Sequence, residues 1–359
     1  IPAGLMLQKI GYKKTALTAI LVGIAGVAIT FFSGKIESFA VYLIGAFVGG
    51  FSMCMLNTVV NPMLNTLGGE GKRGNQLLQF GGTLNSMGAT IVPVLVGYLM
   101  GDVAKATISD ANPALFLAIG IFVLAFIVLY SMSIPEPHIV AEKSTEKNTH
   151  SPLSFRHFVL GAIAIFVYVG VEVGIPNIAN LYMTGDLQIN ATTAGTVVGT
   201  YWFLMLVGRL TGGVLGSKFS SKSMLSFAAV LGLVFVLLAI FLPKDQMVSM
   251  PVFQSDISFG LAQVPVSIML LVLCGLCTSV MWGGIFNLAT EGLGKYTAAA
   301  SGIFMVMVCG GGIIPAIQGY AADIFGYVQS YWVVVIGISY MLFYALVGSK
   351  NVNKDIKVD

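Results

Sequence analysis

N-T-V-V-N-P-M-L-N-T-L-G-G-E-G-K-R-G-N-Q-L-L-Q-F-G-G-T-L-N-S-M-G-A-T-I-V-P-V-L-V-G-Y runs from Asn57 to Tyr98. Two apolar segments flank a short charged turn of Glu70, Lys72 and Arg73. Asn57, Asn61 and Asn65 are spaced by four, so on a helix they form one stripe. Gln79, Gly82 and Asn85 are spaced by three and give the next helix a polar edge with a gap at the glycine. Carboxamides inside a bilayer are costly, and such groups face a bundle interior or a water-filled cavity. The spacing predicts two membrane helices lining a polar cavity.

Composition agrees. The chain has 359 residues, of which 57% are hydrophobic and 9% charged, and its mean hydropathy is +0.90. Soluble domains carry about a quarter charged residues, so this surface is suited to lipid. The net charge of +3 is small, and no basic patch with interleaved aromatics points to nucleic acid. Cys54, Cys274, Cys277 and Cys309 all lie in apolar runs. Cys274-x-x-Cys277 has no second pair and no nearby histidine, so it reads as packing rather than metal or redox chemistry.

Apolar runs long enough to cross a bilayer are expected near 15–33, 38–66, 74–100, 113–133, 157–183, 192–216, 223–243, 264–290, 296–321 and 328–348. The polar interval 134–156 divides them into an N-terminal half, 1–133, and a C-terminal half, 157–348, followed by a tail, 349–359. These halves repeat each other. Gly88-x4-Pro93-x3-Gly97-Tyr98 recurs as Gly310-x4-Pro315-x3-Gly319-Tyr320, an offset of 222. Gly71-Lys72 recurs as Gly294-Lys295, and Gly4, Lys9 and Lys13 recur as Gly213, Lys218 and Lys222. The long connection at 244–263 explains why the offset grows along the chain. A parallel repeat of this kind is a transporter architecture. Two helices precede Gly213 in the second half and none precedes Gly4, so about ten of twelve helices are expected here, the first two lying outside this sequence.

Orientation follows from basic residues. With 134–156 on the cytoplasmic side, only Lys35, Lys105 and Lys244 fall outside, while Arg209 lies within a span; the other 14 of 18 Lys and Arg fall inside. The expected setting is a multi-pass protein of a bacterial inner membrane with a cytoplasmic C-terminus.

Pro2-Ala3-Gly4 with Gly11-Tyr12-Lys13, Asn61-Pro62 with Leu67-Gly68, and Thr83-Leu84-Asn85-Ser86 with Gly88-Ala89 carry a family resemblance. So do Tyr168-Val169-Gly170-Val171-Glu172-Val173, Ile285-Phe286, Gly292-Leu293-Gly294-Lys295 and Gly311-Gly312-Ile313-Ile314-Pro315. The chain resembles the major facilitator superfamily, and within it the fucose–galactose–glucose:proton symporter family. That implies an all-α membrane protein of two pseudo-symmetric six-helix halves, with a central cavity opening to each side in turn. It implies that Asn85 matches an asparagine that binds sugar hydroxyls. Gly82 stands where the family pattern has a glutamine, which Gln79, one turn earlier, is placed to replace. Asn57 stands where the pattern has a membrane glutamate, and an amide cannot titrate. Trp282 stands at a family aromatic position, where its ring can stack on a sugar while its N–H keeps a polar partner.

Each assignment has a plainer rival. Asn57 and Asn61 can instead hold helices together, since amides hydrogen-bond across membrane interfaces, and Pro62 should kink its helix. Glu172 is the one carboxylate deep in an expected span, a candidate proton carrier or a structurally satisfied acid. Arg209 is expected to snorkel or to pair and steady a gate rather than touch substrate. Pro93 and Pro315 are expected to serve gating or structure. Asn287 and Gln318 are candidates to reach the cavity from the second half.

A membrane enzyme would need catalytic machinery, and His138, His150 and His157 all lie in or beside the linker. A channel would need a pore ring or filter, and none is legible. The expected function is import of a neutral monosaccharide by proton symport, with sodium-coupled or uncoupled transport as alternatives. Amides both donate to and accept from hydroxyls, which suits a polyol. No cofactor or metal is expected beyond the coupling ion; the expected partners are the sugar and the lipid bilayer, with the protein a monomer.

Overall fold

A computed structural model describes residues 2–69, 71–100, 111–134, 150–243, 245–254, 258–353 and 355–356. The first half contains α1 (Pro2–Lys35), α2 (Phe39–Leu67), α3 (Gly71–Met100) and α4 (Asn112–Ser131). The second contains α5 (Arg156–Gly185), α6 (Ala191–Leu215), α7 (Ser221–Phe241), β1 (Met247–Phe253), β2 (Phe259–Pro265), α8 (Val266–Ser279) and α9 (Met281–Thr290). It closes with α10 (Thr297–Met307), α11 (Gly310–Phe325), α12 (Tyr327–Ser330) and α13 (Trp332–Phe343), the last running into a π-turn, Tyr344–Gly348. Among the described residues, nine helical stretches are long and apolar enough to cross a membrane. α3 is a further helix of 30 residues. Most of the expected linker lies outside the described residues.

Local chemistry sets the helix starts. Ser38, Asn190 and Ser220 accept from the backbone N–H of Val41, Thr193 and Ser223, capping α2, α6 and α7. Within α1 the helix breaks at Gly11, where φ is 83°, a left-handed conformation that glycine adopts without penalty. At the repeat offset of 209, Gly11 falls on Ser220, the cap between α6 and α7. The start of α1 therefore corresponds to the end of α6.

The repeat also shows in how the halves touch. Gly213 of α6 lies against Phe80 of α3, and its counterpart Gly4 lies against Ala298 and Gly302 of α10. Each half thus grips the other at the end that carries Lys72, Lys218 and Lys295. This is called the basic end below.

Three expected helices differ in detail. The stretch expected as 264–290 breaks at Val280, whose carbonyl accepts from Gln79 Nε2 at 2.9 Å. The stretch expected as 296–321 breaks at Val308–Cys309, just before Gly310-Gly311-Gly312. A Cβ on Gly310 would lie 1.9 Å from the Phe166 carbonyl oxygen of α5. Gly310→Ala is therefore expected to cost about 3 kcal/mol or more, as overpacking against backbone does, and to lower the melting temperature of detergent-solubilised protein. The third stretch, 328–348, is divided into α12, α13 and the π-turn.

Residues 244–263, expected as a plain connection, contain most of a hairpin. β1 and β2 pair antiparallel with Met250 opposite Ala262 and Phe253 opposite Phe259. Met250, Val252, Ala262 and Val264 face inward in strict alternation. The hairpin is fastened to α6, where Phe253 N–H donates to Thr200 Oγ1 at 2.8 Å and the Phe203 and Phe253 rings stack at 4.7 Å. Cys274 and Cys277 are buried, unpaired thiols in α8.

Candidate functional site

A cavity of about 480 Å³ lies between the halves. α2 contributes Asn57 and Asn61, α3 contributes Gly82, Asn85 and Ser86, and α5 contributes Glu172. From the rest of the second half come Trp202, Met205 and Arg209 of α6, Trp282 of α9 and Met305 of α10. At 1.5 Å per residue, Asn85 and Glu172 lie about halfway along helices some 45 Å long. The expected residues Asn57, Asn61, Asn85, Trp282 and Glu172 thus meet around one space. Trp282 sits 6.2 Å from the Tyr168 ring.

The carboxamides divide into two groups. Asn57 and Asn85 are exposed and line the cavity, and their side chains make no hydrogen bond to the described residues. Asn61 is buried, and its Nδ2 donates to the Asn57 carbonyl at 2.9 Å. Pro62, next along, has no N–H to give the Thr58 carbonyl. That oxygen accepts from Ser301 Oγ of α10 at 3.0 Å instead. Pro62 therefore creates a contact between halves.

Three expected substrate contacts lie elsewhere. Gln79 is buried beneath the cavity with its amide on Val280 O. Asn287 donates from Nδ2 to Asn65 Oδ1 at 2.7 Å and accepts from Ser221 Oγ at 2.9 Å. Asn65 Nδ2 in turn donates to Thr290 Oγ1 at 3.2 Å. Gln318 is fully buried on α11 against Gly174 of α5, away from the cavity lining. Gln79, Asn287 and Asn65, with Lys72 Nζ on the Lys218 carbonyl at 3.0 Å, seal the basic end below the cavity. Asn65 and Asn287 stand at the repeat offset of 222, so the two halves meet here through equivalent residues. Pro315 packs beside Gly174, while the side chain of Pro93 on α3 lies outside the described residues.

Arg209 does not snorkel. It is 9% exposed and its Nη2 donates to Glu172 Oε1 at 3.1 Å. Its Nη1 donates to Ser86 Oγ at 2.7 Å and to the Gly82 carbonyl at 3.2 Å. Glu172 is fixed from its backbone too. Pro176 leaves the Glu172 carbonyl without its helical donor, and Tyr201 O–H supplies one at 3.1 Å while lying 3.0 Å from Thr278 Oγ1. Tyr201→Phe leaves that buried carbonyl unpaired, at a cost of about 1–3 kcal/mol. A thermal-unfolding series on the purified variant should show the loss.

Sequence reading missed Ser86, Tyr201 and Trp202. Trp202 lines the cavity beside Met205 and Arg209 of the same helix. For Ser86 and Tyr201 a signal existed: one adjoins Asn85, and the other supplies what a proline removes.

The family model described as Major Facilitator Superfamily matches residues 1–175 and 160–354. The chain belongs to this superfamily, and its fold is the one expected from the repeat. It is 28% identical over 362 residues to a glucose/galactose transporter of Brucella abortus, covering 98% of this chain and 82% of that protein. It is 24% identical to the L-fucose-proton symporter of Escherichia coli, covering 91% and 76% respectively. The fold superposes on a crystal structure of the transporter FucP in the outward conformation with a TM-score of 0.83 at 21% identity, covering 98% of this chain and 86% of that one.

Proposed function

We propose that this protein carries a neutral monosaccharide across a bacterial inner membrane by alternating access, driven by proton symport. The observation that carries this reading is the central cavity. Two unspent carboxamides, Asn57 and Asn85, share it with two indoles and a charge-compensated acid. Amides match hydroxyls in both directions, indoles match the apolar face of a sugar ring, and the volume falls in the range of small-ligand sites. Relatives named for glucose, galactose and fucose transport support the sugar. Glu172 is the proposed proton carrier, since Asn57 cannot titrate. The basic end is proposed to face the cytoplasm, which makes the described state closed inward, and the protein is proposed to work as a monomer.

Proteoliposomes holding the protein and given labelled hexoses test this. Accumulation under an imposed proton gradient, lost in Glu172→Gln, is the expected result. Accumulation only under a sodium gradient overturns the proton, and no uptake of any sugar overturns the substrate class.

A further inference from the structure

The geometry points to Arg209 as the positioning residue through which the charge on Glu172 controls closure of the basic end. This rests on the reading of Glu172 as proton carrier. Arg209 belongs to the second half and pairs with Glu172 of the same half. The other arm of the same planar guanidinium crosses to the first half, where it holds Ser86 Oγ and the Gly82 carbonyl. A guanidinium serves both directions at once, as a lysine ammonium with its single point charge would not. Gly82 provides the passage, for a Cβ there would lie 3.3 Å from Arg209 Cδ and crowd the stem.

The ionisable groups around Glu172 are few. Arg209 and Tyr201 face it from α6, and Tyr168 faces it from its own helix. Among the described residues lining the cavity, α3 presents Asn85, Ser86 and a carbonyl but no ionisable group, α8 presents Thr278, and α9 presents Trp282. With Glu172 ionised, the buried guanidinium is compensated and its arm to α3 stands. When Glu172 takes a proton, the same guanidinium is left as a buried cation with neutral partners. An uncompensated buried charge is strongly unfavourable. Arg209 is then drawn toward water, its hold on α3 is released, and the halves are free to part below the cavity. Protonation thus precedes opening of the basic end.

The test uses a thiol placed in the seal. Asn75 is fully buried beside Met224 of α7, and Asn75→Cys is made with the exposed Cys54 and Cys309 changed to serine. Maleimide labelling from the basic side is followed between pH 8 and pH 5 in proteoliposomes without sugar, each rate being divided by that of the same thiol in denatured protein at the same pH, because only the thiolate reacts and its share falls on acidification. Labelling is expected to accelerate about tenfold or more on acidification, the scale of one hydrogen bond to a charged group. The acceleration should vanish in Glu172→Gln. Ser86→Ala, which spares the ion pair, should label fast at both pH values, and Arg209→Lys should do the same. Acceleration that persists in Ser86→Ala and Arg209→Lys overturns the link, as does labelling that ignores pH in the parent. Proton-driven uptake by the parent is scored separately. If it is absent while labelling behaves as expected, the transport reading fails and the link stands.

Discussion

Joining position 65 to position 287 with a short reducible cross-linker abolishes uptake, and reduction restores it. That is the expected result for Asn65→Cys/Asn287→Cys in a background without Cys54 and Cys309. Both asparagines are 4% exposed and bonded to each other across the halves at 2.7 Å. A transporter that opens at the basic end must separate them, so a covalent tie holds the molecule with that end shut. Binding from the other side should survive, which separates a locked protein from a denatured one. The single variants probe the same contact from the opposite direction. Asn65→Ala leaves the Asn287 amide and the Thr290 hydroxyl one partner short, and an unmade buried bond costs about 1–3 kcal/mol. Because the cost falls on the closed state alone, the ratio of open to closed shifts by about 5- to 150-fold. Thiol labelling at Asn75→Cys reads this shift directly.

The second large effect lies at Asn85. Its carboxamide lines the cavity and makes no bond to the described residues, so the donor and acceptor pair is available to a hydroxylated ligand. Asn85→Ala is expected to raise the KM for the transported sugar by about 5- to 150-fold, equivalent to about 1–3 kcal/mol. Because no packing partner is removed, expression and melting temperature should stay near those of the parent. Trp282→Ala should weaken binding as well, with Trp282→Phe intermediate, since Phe keeps a stacking face and loses the indole N–H. Unchanged KM in Asn85→Ala would move the sugar elsewhere in the cavity and leave Asn57 as the amide to examine.

Much of the architecture was legible because glycine, proline and lysine punctuate it. Gly88-x4-Pro93 and Gly310-x4-Pro315 announced the repeat, and the structure returns it as matched contacts of Gly4 and Gly213. The polar stripe on α2 was legible too, since a spacing of four survives any helix. What periodicity does not carry is the identity of the opposing backbone. Gln79 and Asn85 sit on one edge of α3, yet Val280 O lies opposite the first and open space opposite the second. Asn287 looked like a cavity residue because its partner, Asn65, is distant in sequence. Arg209 was read as either snorkelling or pairing to steady a gate, and the structure holds it paired with Glu172, a partner that spacing cannot name because it lies on another helix. The hairpin escaped because M-V-S-M-P-V-F alternates weakly by residue type, and its inward face is set by α6.

That hairpin has a practical consequence. It is bolted to α6 by a backbone hydrogen bond and a ring stack, so it must travel with the second half as a passenger. The first half has only the short connection at 36–38 in its place. A spectroscopic probe or a rigid binding protein attached to the exposed Leu261 would act as a needle on a dial. It would register the rotation of one half against the other.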